Sequence, residues 1–276
     1  MSAKLTKNIP FPQLLRQSGE SAPENHEPRP PDSKGWRLRN AAYLRIKRWF
    51  DLCLILACLP ILLPLFAIAG CWVMAVSRGP VFFRQQRVGK DGKVFTLYKF
   101  RSMGAGAPQA PHRDHVRALV KSRRPMTKLD RLGDSRFIPG GRFLRSSGID
   151  ELPQLLNVLS GEMSLVGPRP CLPYECEFFS AKQCARFGVV PGLTGLWQVK
   201  GRNEATFRKM SAMDFYYSRR ASFWFDLVIL SRTPAALSRQ VMGDLRESRR
   251  DALASRRTSR SAAPSAGLLL RAAKSE

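Results

Sequence analysis

Two carboxylates stand side by side at Asp150 and Glu151, in the stretch RSSGIDELPQLLNVL of residues 145–159, just ahead of an apolar run. Adjacent carboxylates repel one another, so the fold must offer them positive charge or a helix end. Leu152, Leu155, Leu156 and Leu159 recur at the spacing of one helical face. Pro153 suits a first turn, so a helix is expected to begin at the pair. Acids at a helix N-terminus stabilise it by roughly 0.3–1 kcal/mol each. That structural role would account for the pair by itself, unless the rest of the chain supplies a reaction partner. The charge balance points to one. Lys and Arg number 46 against 21 Asp and Glu, a formal net charge of +25. Such an excess suits phosphate, in nucleic acid, in anionic lipid or in a phosphorylated small substrate.

Other chemistries find less support. The histidines are His26, His112 and His115, none beside an obvious nucleophile, which argues against a histidine-based triad. Cys171, Cys176 and Cys184 lack zinc-ligand spacing, and no histidine lies near them in sequence. Cys53, Cys58 and Cys71 fall in the most apolar part of the chain, where cysteine behaves as a small hydrophobe. This cysteine usage fits a reducing compartment and no metal cluster.

The elements that must position the pair start with a membrane segment. From Leu52 to Ser77 there is no charged residue, and about 20 apolar residues suffice to span a bilayer. The segment begins too far into the chain, and is too long, for a signal peptide. Pro60 and Pro64 fall in its first half, where each removes a backbone hydrogen bond. Arg45, Lys47 and Arg48 precede the run, and Arg78, Arg84, Arg87 and Lys90 come after it. Basic flanks prefer the cytoplasmic side. Both flanks are satisfied if the segment enters that leaflet, bends at the prolines and returns; a single span is the alternative. Residues 1–40 read as a mobile tail, 41–78 as the membrane-inserted re-entrant helix, 79–240 as a compact domain and 241–276 as a disordered basic tail.

Within the compact region, GPVFFRQQRVGKDGKVFTLYKFRSM reads as two short strands around a Gly-bearing turn at Lys90 to Lys93. PHRDHVRALVKSRRP reads as a helix with a basic face, solvated or lying on the membrane surface. ELPQLLNVLSGEMS should be a helix ending near Gly161, and CLPYECEFFSAKQCARFG one or two more. VVPGLTGLWQVKGRN reads as a glycine-punctuated loop with a strand-like end. EATFRKMSAMDFYYSRR and FWFDLVILSRTPAALSRQ are helices by periodicity. The expected fold is an α-rich α+β domain with a small β element, joined to a membrane-inserted re-entrant helix.

Several stretches together resemble the bacterial sugar transferases, also called monotopic phosphoglycosyl transferases. They are KRWFDL, YKFRSM, GRFLRSSGIDELPQLLNVLSGEMSLVGPRP and PGLTGLWQVKGRN, in the family's order from about Arg45 to Gln240. The chain is similar to the small, catalytic-core form. The resemblance implies transfer of a sugar-1-phosphate from a nucleotide diphosphate sugar, such as a UDP-sugar, to undecaprenyl (polyprenyl) phosphate, which starts a surface polysaccharide or glycoconjugate. It implies that Asp150 attacks the β-phosphorus, that a nucleoside monophosphate leaves, and that the phosphosugar stays on the aspartate until the lipid phosphate displaces it. Mg²⁺ is the implied cofactor and Glu151 its ligand. The implied location is the bacterial inner membrane, with the catalytic domain on the cytoplasmic face. Partners are then nucleotide sugar, undecaprenyl phosphate and membrane lipids, without nucleic acid; a homodimer stays open.

Arg145 falls where the family has an arginine near the dyad, and Arg169 in GPRP and Lys99 and Arg101 in YKFRSM match basic motif positions. These four are the expected phosphate-binding residues, since a guanidinium can grip phosphate as a fork. Gln198 and Arg202 are candidates for the nucleotide end, and Asp214 for assisting the metal or the positioning. Gly192, Gly195 and Gly201 either let backbone approach a ligand or make a structural turn. One departure is Leu63-Pro64, where many members have Ser-Pro; a leucine cannot satisfy a freed carbonyl, which moves the expected bend toward Pro60. Two rival readings are a basic nucleic-acid-binding protein and a membrane-anchored regulatory protein without activity. The membrane segment argues against the first, and the intact Asp150–Glu151 pair with Arg145 and Arg169 against the second.

Overall fold

The uncharged run lies inside a single helix, α1, spanning Ser33–Val76. The computed structural model describes residues 33–104, 118, 136–179, 181–201 and 205–246. The expected tail therefore ends earlier than residue 40, because helix begins at Ser33. Arg202 and the basic-faced stretch around residues 111–125 lie outside the described residues, apart from residue 118. At 1.5 Å per residue, α1 has a contour of roughly 66 Å. Its Ala41–Val76 portion is long and apolar enough to cross a membrane, and only 11% of its most apolar window is buried against the rest of the protein. Helical structure continues through Pro60 and Pro64. Neither proline can donate a backbone hydrogen bond, so the carbonyls four residues earlier lack their helical donors.

Two stretches of α1 meet the same domain. At its midpoint, Ile55 joins a core with Phe95, Leu97, Val158, Leu165 and Tyr217. Near its end, Ala69 and Val73 join Phe100, Ile138 and Leu144. Between them Leu56, Ile61, Leu63, Leu65 and Ile68 stay exposed. Charged residues fix the first contact. Lys47 Nζ and the Tyr43 hydroxyl both donate to Asp226 Oδ2 at 2.7 Å, and Ser164 Oγ donates to Asp51 Oδ2 at 2.6 Å.

The expected hairpin is present: β1 (Phe82–Val88) pairs antiparallel with β2 (Val94–Phe100) through a turn at Lys90–Gly92. Helices α2 (Gly141–Ser147) and α3 (Gln154–Ser160) come next, and α3 ends on Gly161 as expected. Strands β3 (Ser164–Val166) and β4 (Gly192–Thr194) form a parallel pair that the sequence did not signal. Between them lie a 3₁₀ turn at Pro173–Phe178, the single-turn α4 (Ala181–Cys184) and a second 3₁₀ turn at Ala185–Gly188. LWQVKG forms α5 (Leu196–Gly201), so the strand-like end expected there is helical. Helix α6 (Phe207–Arg220) is capped by Thr206, whose hydroxyl accepts from the Lys209 N–H. Helix α7 covers residues 223–246 and so runs into the stretch expected to be a disordered tail.

Candidate active site

The acidic pair sits on a turn made by a glycine. Helix α2 ends at Gly148 in the left-handed conformation, φ 75°, which a side chain would strain. The chain then makes one 3₁₀ turn, Ile149–Glu151, before α3 begins beyond Pro153. Asp150 is 4% exposed. Glu151 is half-buried, and its Oε1 accepts from Lys99 Nζ of β2 at 2.7 Å. Arg145, in the last turn of α2, lies across Gly148 from the pair and places Nη1 3.9 Å from Met103 Sδ. Lys99, Asp150 and Glu151 thus come together around one turn, with Arg145 on the helix that leads into it.

Helix α3 is held rigidly behind them. Asn157 is fully buried, accepts the Tyr98 N–H at 3.2 Å and donates Nδ2 to Thr96 O and Glu162 Oε2 at 2.7 Å each. These bonds tie α3 to the strand that carries Lys99. At the other end Arg48 of α1 donates to the Val158 and Leu159 carbonyls, the latter at 2.6 Å. A cation on terminal carbonyls is favourable there. The buried face of α3 is Gln154, Asn157 and Val158, whereas Leu156 and Leu159 are exposed. The leucines that share one helical face by spacing therefore divide, with Leu155 packed inward and Leu156 and Leu159 outward.

Arg101 has a different setting from Lys99. It is buried, and its guanidinium donates to Ser77 O at 2.8 Å, Ser77 Oγ at 3.0 Å and Arg78 O at 2.9 Å. It seals the chain as it leaves α1.

A second charged group gathers around Arg169. Asp214 is fully buried in α6, and its Oδ2 lies 2.6 Å from Arg186 Nη2. Burial pushes the Asp214 carboxyl up to about 6, against the opposing pull of Arg186 and Arg169. Arg186 also donates to the Arg169 carbonyl at 2.6 Å and lies over the Phe179 ring, 4.9 Å from its centroid. Arg87 donates to the Pro170 carbonyl at 3.1 Å, and burial next to Arg169 lowers it to about 10. Arg87 and Arg186 were missed in the sequence, where nothing separates two arginines from the other basic residues. One signal existed: Arg186 stands between Cys184 and Phe187, both core residues.

The glycines of PGLTG serve backbone packing. A β-carbon on Gly192 would overlap the Gly167 nitrogen, and one on Gly195 would overlap the Gly167 carbonyl oxygen. The structural turn is thus the better of the two readings for Gly192 and Gly195. Gln198 lies beyond them on α5, with Nε2 donating to Leu193 O at 3.2 Å. Its Oε1 is buried and has no hydrogen-bond partner among the described residues.

The bacterial sugar transferase family pattern matches residues 42–240, the stretch that holds most of α1, the dyad turn and the Arg169 loop. The chain belongs to the bacterial sugar transferase family. Among relatives of this sugar transferase, the "Uncharacterized sugar transferase EpsL" of Bacillus subtilis is 42% identical over 191 residues, 68% of this chain and 85% of that protein. The "UDP-glucose:undecaprenyl-phosphate glucose-1-phosphate transferase" of Caulobacter vibrioides is 39% identical over 182 residues, 63% of this chain and 62% of that one. The "Undecaprenyl-phosphate galactose phosphotransferase" of Salmonella typhimurium is 35% identical over 195 residues, covering 71% of this chain but only 41% of that protein.

Two further features of the transferase bear on its chemistry. Among the described residues, no group of three or more His, Cys, Asp or Glu side chains gathers into a metal cage. Mg²⁺ usually takes one or two carboxylates and completes its shell with substrate phosphates and water. The adjacent Asp150 and Glu151 carboxylates fit that donor set. The second feature is an apolar surface beside α3. Arg48 joins α1 to α3, and the Phe50 and Phe223 rings meet edge-on at 5.1 Å, joining α1 to α7. Around these contacts Ile46, Trp49, Leu156, Leu159 and Trp224 are exposed, Trp224 by 74%.

Proposed function

We propose that this transferase moves a sugar-1-phosphate from a UDP-sugar to undecaprenyl phosphate in two steps through Asp150. The observation that carries the reading is the dyad turn: two adjacent carboxylates, one in a 2.7 Å ion pair with Lys99, beside Arg145 and next to exposed Leu156 and Leu159. The names of the Caulobacter and Salmonella relatives support the substrate classes. An Asp150 oxygen forms a bond to the β-phosphorus while the bond from that phosphorus to the nucleoside monophosphate oxygen breaks. UMP leaves and an acyl phosphate holds the sugar. An oxygen of undecaprenyl phosphate then attacks the same phosphorus and frees the Asp150 carboxylate. Covalent catalysis of this kind divides one exchange between two anions into two steps.

Arg145 and Arg169 grip substrate phosphates, and Lys99 holds Glu151 in place. Glu151 would hold Mg²⁺, which when bound supplies positive charge for the phosphates. The apolar surface of α1, α3 and α7 lies in the membrane interface, on the cytoplasmic face of the inner membrane. Helix α1 meets the domain at Ile55 and again at Ala69 and Val73, which supports a re-entrant path with the exposed stretch between them in the bilayer. Product release would begin a surface polysaccharide or related glycoconjugate.

The test omits the acceptor. Purified enzyme mixed with radiolabelled UDP-sugar should release one equivalent of UMP in a burst and retain labelled phosphosugar. Asp150→Asn should lose both signals. UMP release that waits for undecaprenyl phosphate in an active preparation would replace the two-step path with direct transfer.

A further inference from the structure

The chain from Gly167 to Cys171 is held through the Gly167 N–H and the carbonyls of residues 168–171. The Gly167 N–H donates to Thr194 O at 2.9 Å, the Pro168 carbonyl accepts from the Gly192 N–H at 2.8 Å, and the Cys171 carbonyl accepts from the Val88 N–H at 2.9 Å. Between these ordinary backbone bonds, at Arg169 and Pro170, the partners are charged and buried. Asp214 Oδ2 lies 2.6 Å from Arg186 Nη2. Arg186 donates to the Arg169 carbonyl at 2.6 Å and Arg87 to the Pro170 carbonyl at 3.1 Å. The three side chains come from α6, from the Ala185–Gly188 turn and from β1, and are 0%, 3% and 7% exposed. Arg169 itself is half-buried.

Burying guanidinium groups is costly, and apolar residues of similar volume often stabilise a fold as well or better. What a buried charge adds is fixed direction, and here the fixed object is the backbone that carries Arg169. We propose that Arg87 and Arg186 are positioning residues, which lock the Arg169–Pro170 backbone and so aim the Arg169 side chain at the phosphates of the nucleotide sugar. Asp214 holds Arg186 to this task by an ion pair of 2.6 Å. The mutual influence of the Arg169, Arg87 and Asp214 charges places all of them in one neighbourhood. The inference rests on the reading of Arg169 as a phosphate grip.

The experiment is a double-mutant cycle on the full chain in detergent, with KM for UDP-sugar and kcat read separately. Lysine keeps the charge but loses the planar fork. Arg186→Lys should raise KM about tenfold with a smaller change in kcat, as Arg169→Ala should. Residues that act through one another give non-additive effects. The double variant Arg169→Ala/Arg186→Lys should therefore be no worse than Arg169→Ala alone, and Arg87→Lys should behave as Arg186→Lys does. Additive losses, or a normal KM in both lysine variants, would overturn the proposal. Failure of both lysine variants to fold would also overturn it, in favour of a purely architectural role. An unchanged KM in Arg169→Ala, with the enzyme active, would instead remove the underlying reading of Arg169.

Discussion

Lys99–Glu151 and Arg186–Asp214 are made of the same chemistry and close to nearly the same distance, 2.7 and 2.6 Å. Their surroundings differ. The side chains of the first pair are 23% and 24% exposed, and those of the second 2% and 1%. Water screens a partly exposed pair, which contributes up to about 1 kcal/mol and can be opened at small cost. A pair without water cannot be opened so easily, because each charge left alone lacks both solvent and partner. The first pair can exchange its partner for a phosphate or a metal ion during a reaction cycle. The second can only hold. The contrast fits the proposed division, with reacting groups on the dyad turn and the α6 region keeping the Arg169 loop in shape.

The largest effect that would break this comparison is at Asp214. Asp214→Ala should destabilise the protein by about 3–5 kcal/mol, because Arg186 stays buried with its carboxylate gone. Chemical unfolding followed by circular dichroism measures this, and a loss below about 1 kcal/mol would put both pairs in the same class. Glu151→Gln sharpens the contrast. Its stability should move by no more than about 1 kcal/mol, while turnover should fall roughly a hundredfold or more, the scale for removing one electrostatic group at a reacting centre. Excess chelator should do the same to the unaltered enzyme if Glu151 holds Mg²⁺; full activity in chelator would exclude that role. Lys99→Met should have the smallest effect. A loss of about tenfold in turnover, equivalent to about 1.4 kcal/mol, is expected with an unfolding midpoint close to that of the parent.

Much of the dyad turn was legible in the sequence. The two carboxylates, Pro153 and Gly161 each carry a local preference that marks the start of a helix or its end, and Gly148, which was not read from the sequence, makes the turn. The Lys90–Gly92 hairpin turn was legible for the same reason. Periodicity was less informative about α3, because it groups leucines without saying what they face. Leu156 and Leu159 share a stripe with Leu155, yet the core closes on Val158 and Asn157 instead. A polar residue inside LLNVL was the better clue, since Asn157 makes three hydrogen bonds across to β2 and Glu162. The run LWQV was misread as strand-like because a short apolar run fits either helix or strand. The start of α5 is instead fixed by close approach of Gly195 to Gly167, two residues far apart in the chain. Arg87 and Arg186 depend on the same long-range packing.

The contacts of α1 also set an order of events as the chain is made. Lys47 waits for Asp226, 179 residues downstream, and Asp51 for Ser164, 113 residues downstream. Synthesis at about 5–20 residues per second leaves roughly 10–40 seconds before Asp226 emerges. During that interval the apolar run is already available to a bilayer, while Lys47 and Asp51 at its threshold have no partners from the domain. Two charges at that point would keep the first turns at the surface of the lipid, ready for the domain to close on them. The nascent helix would act as a tether, and the domain would fold against it at the membrane from the outset.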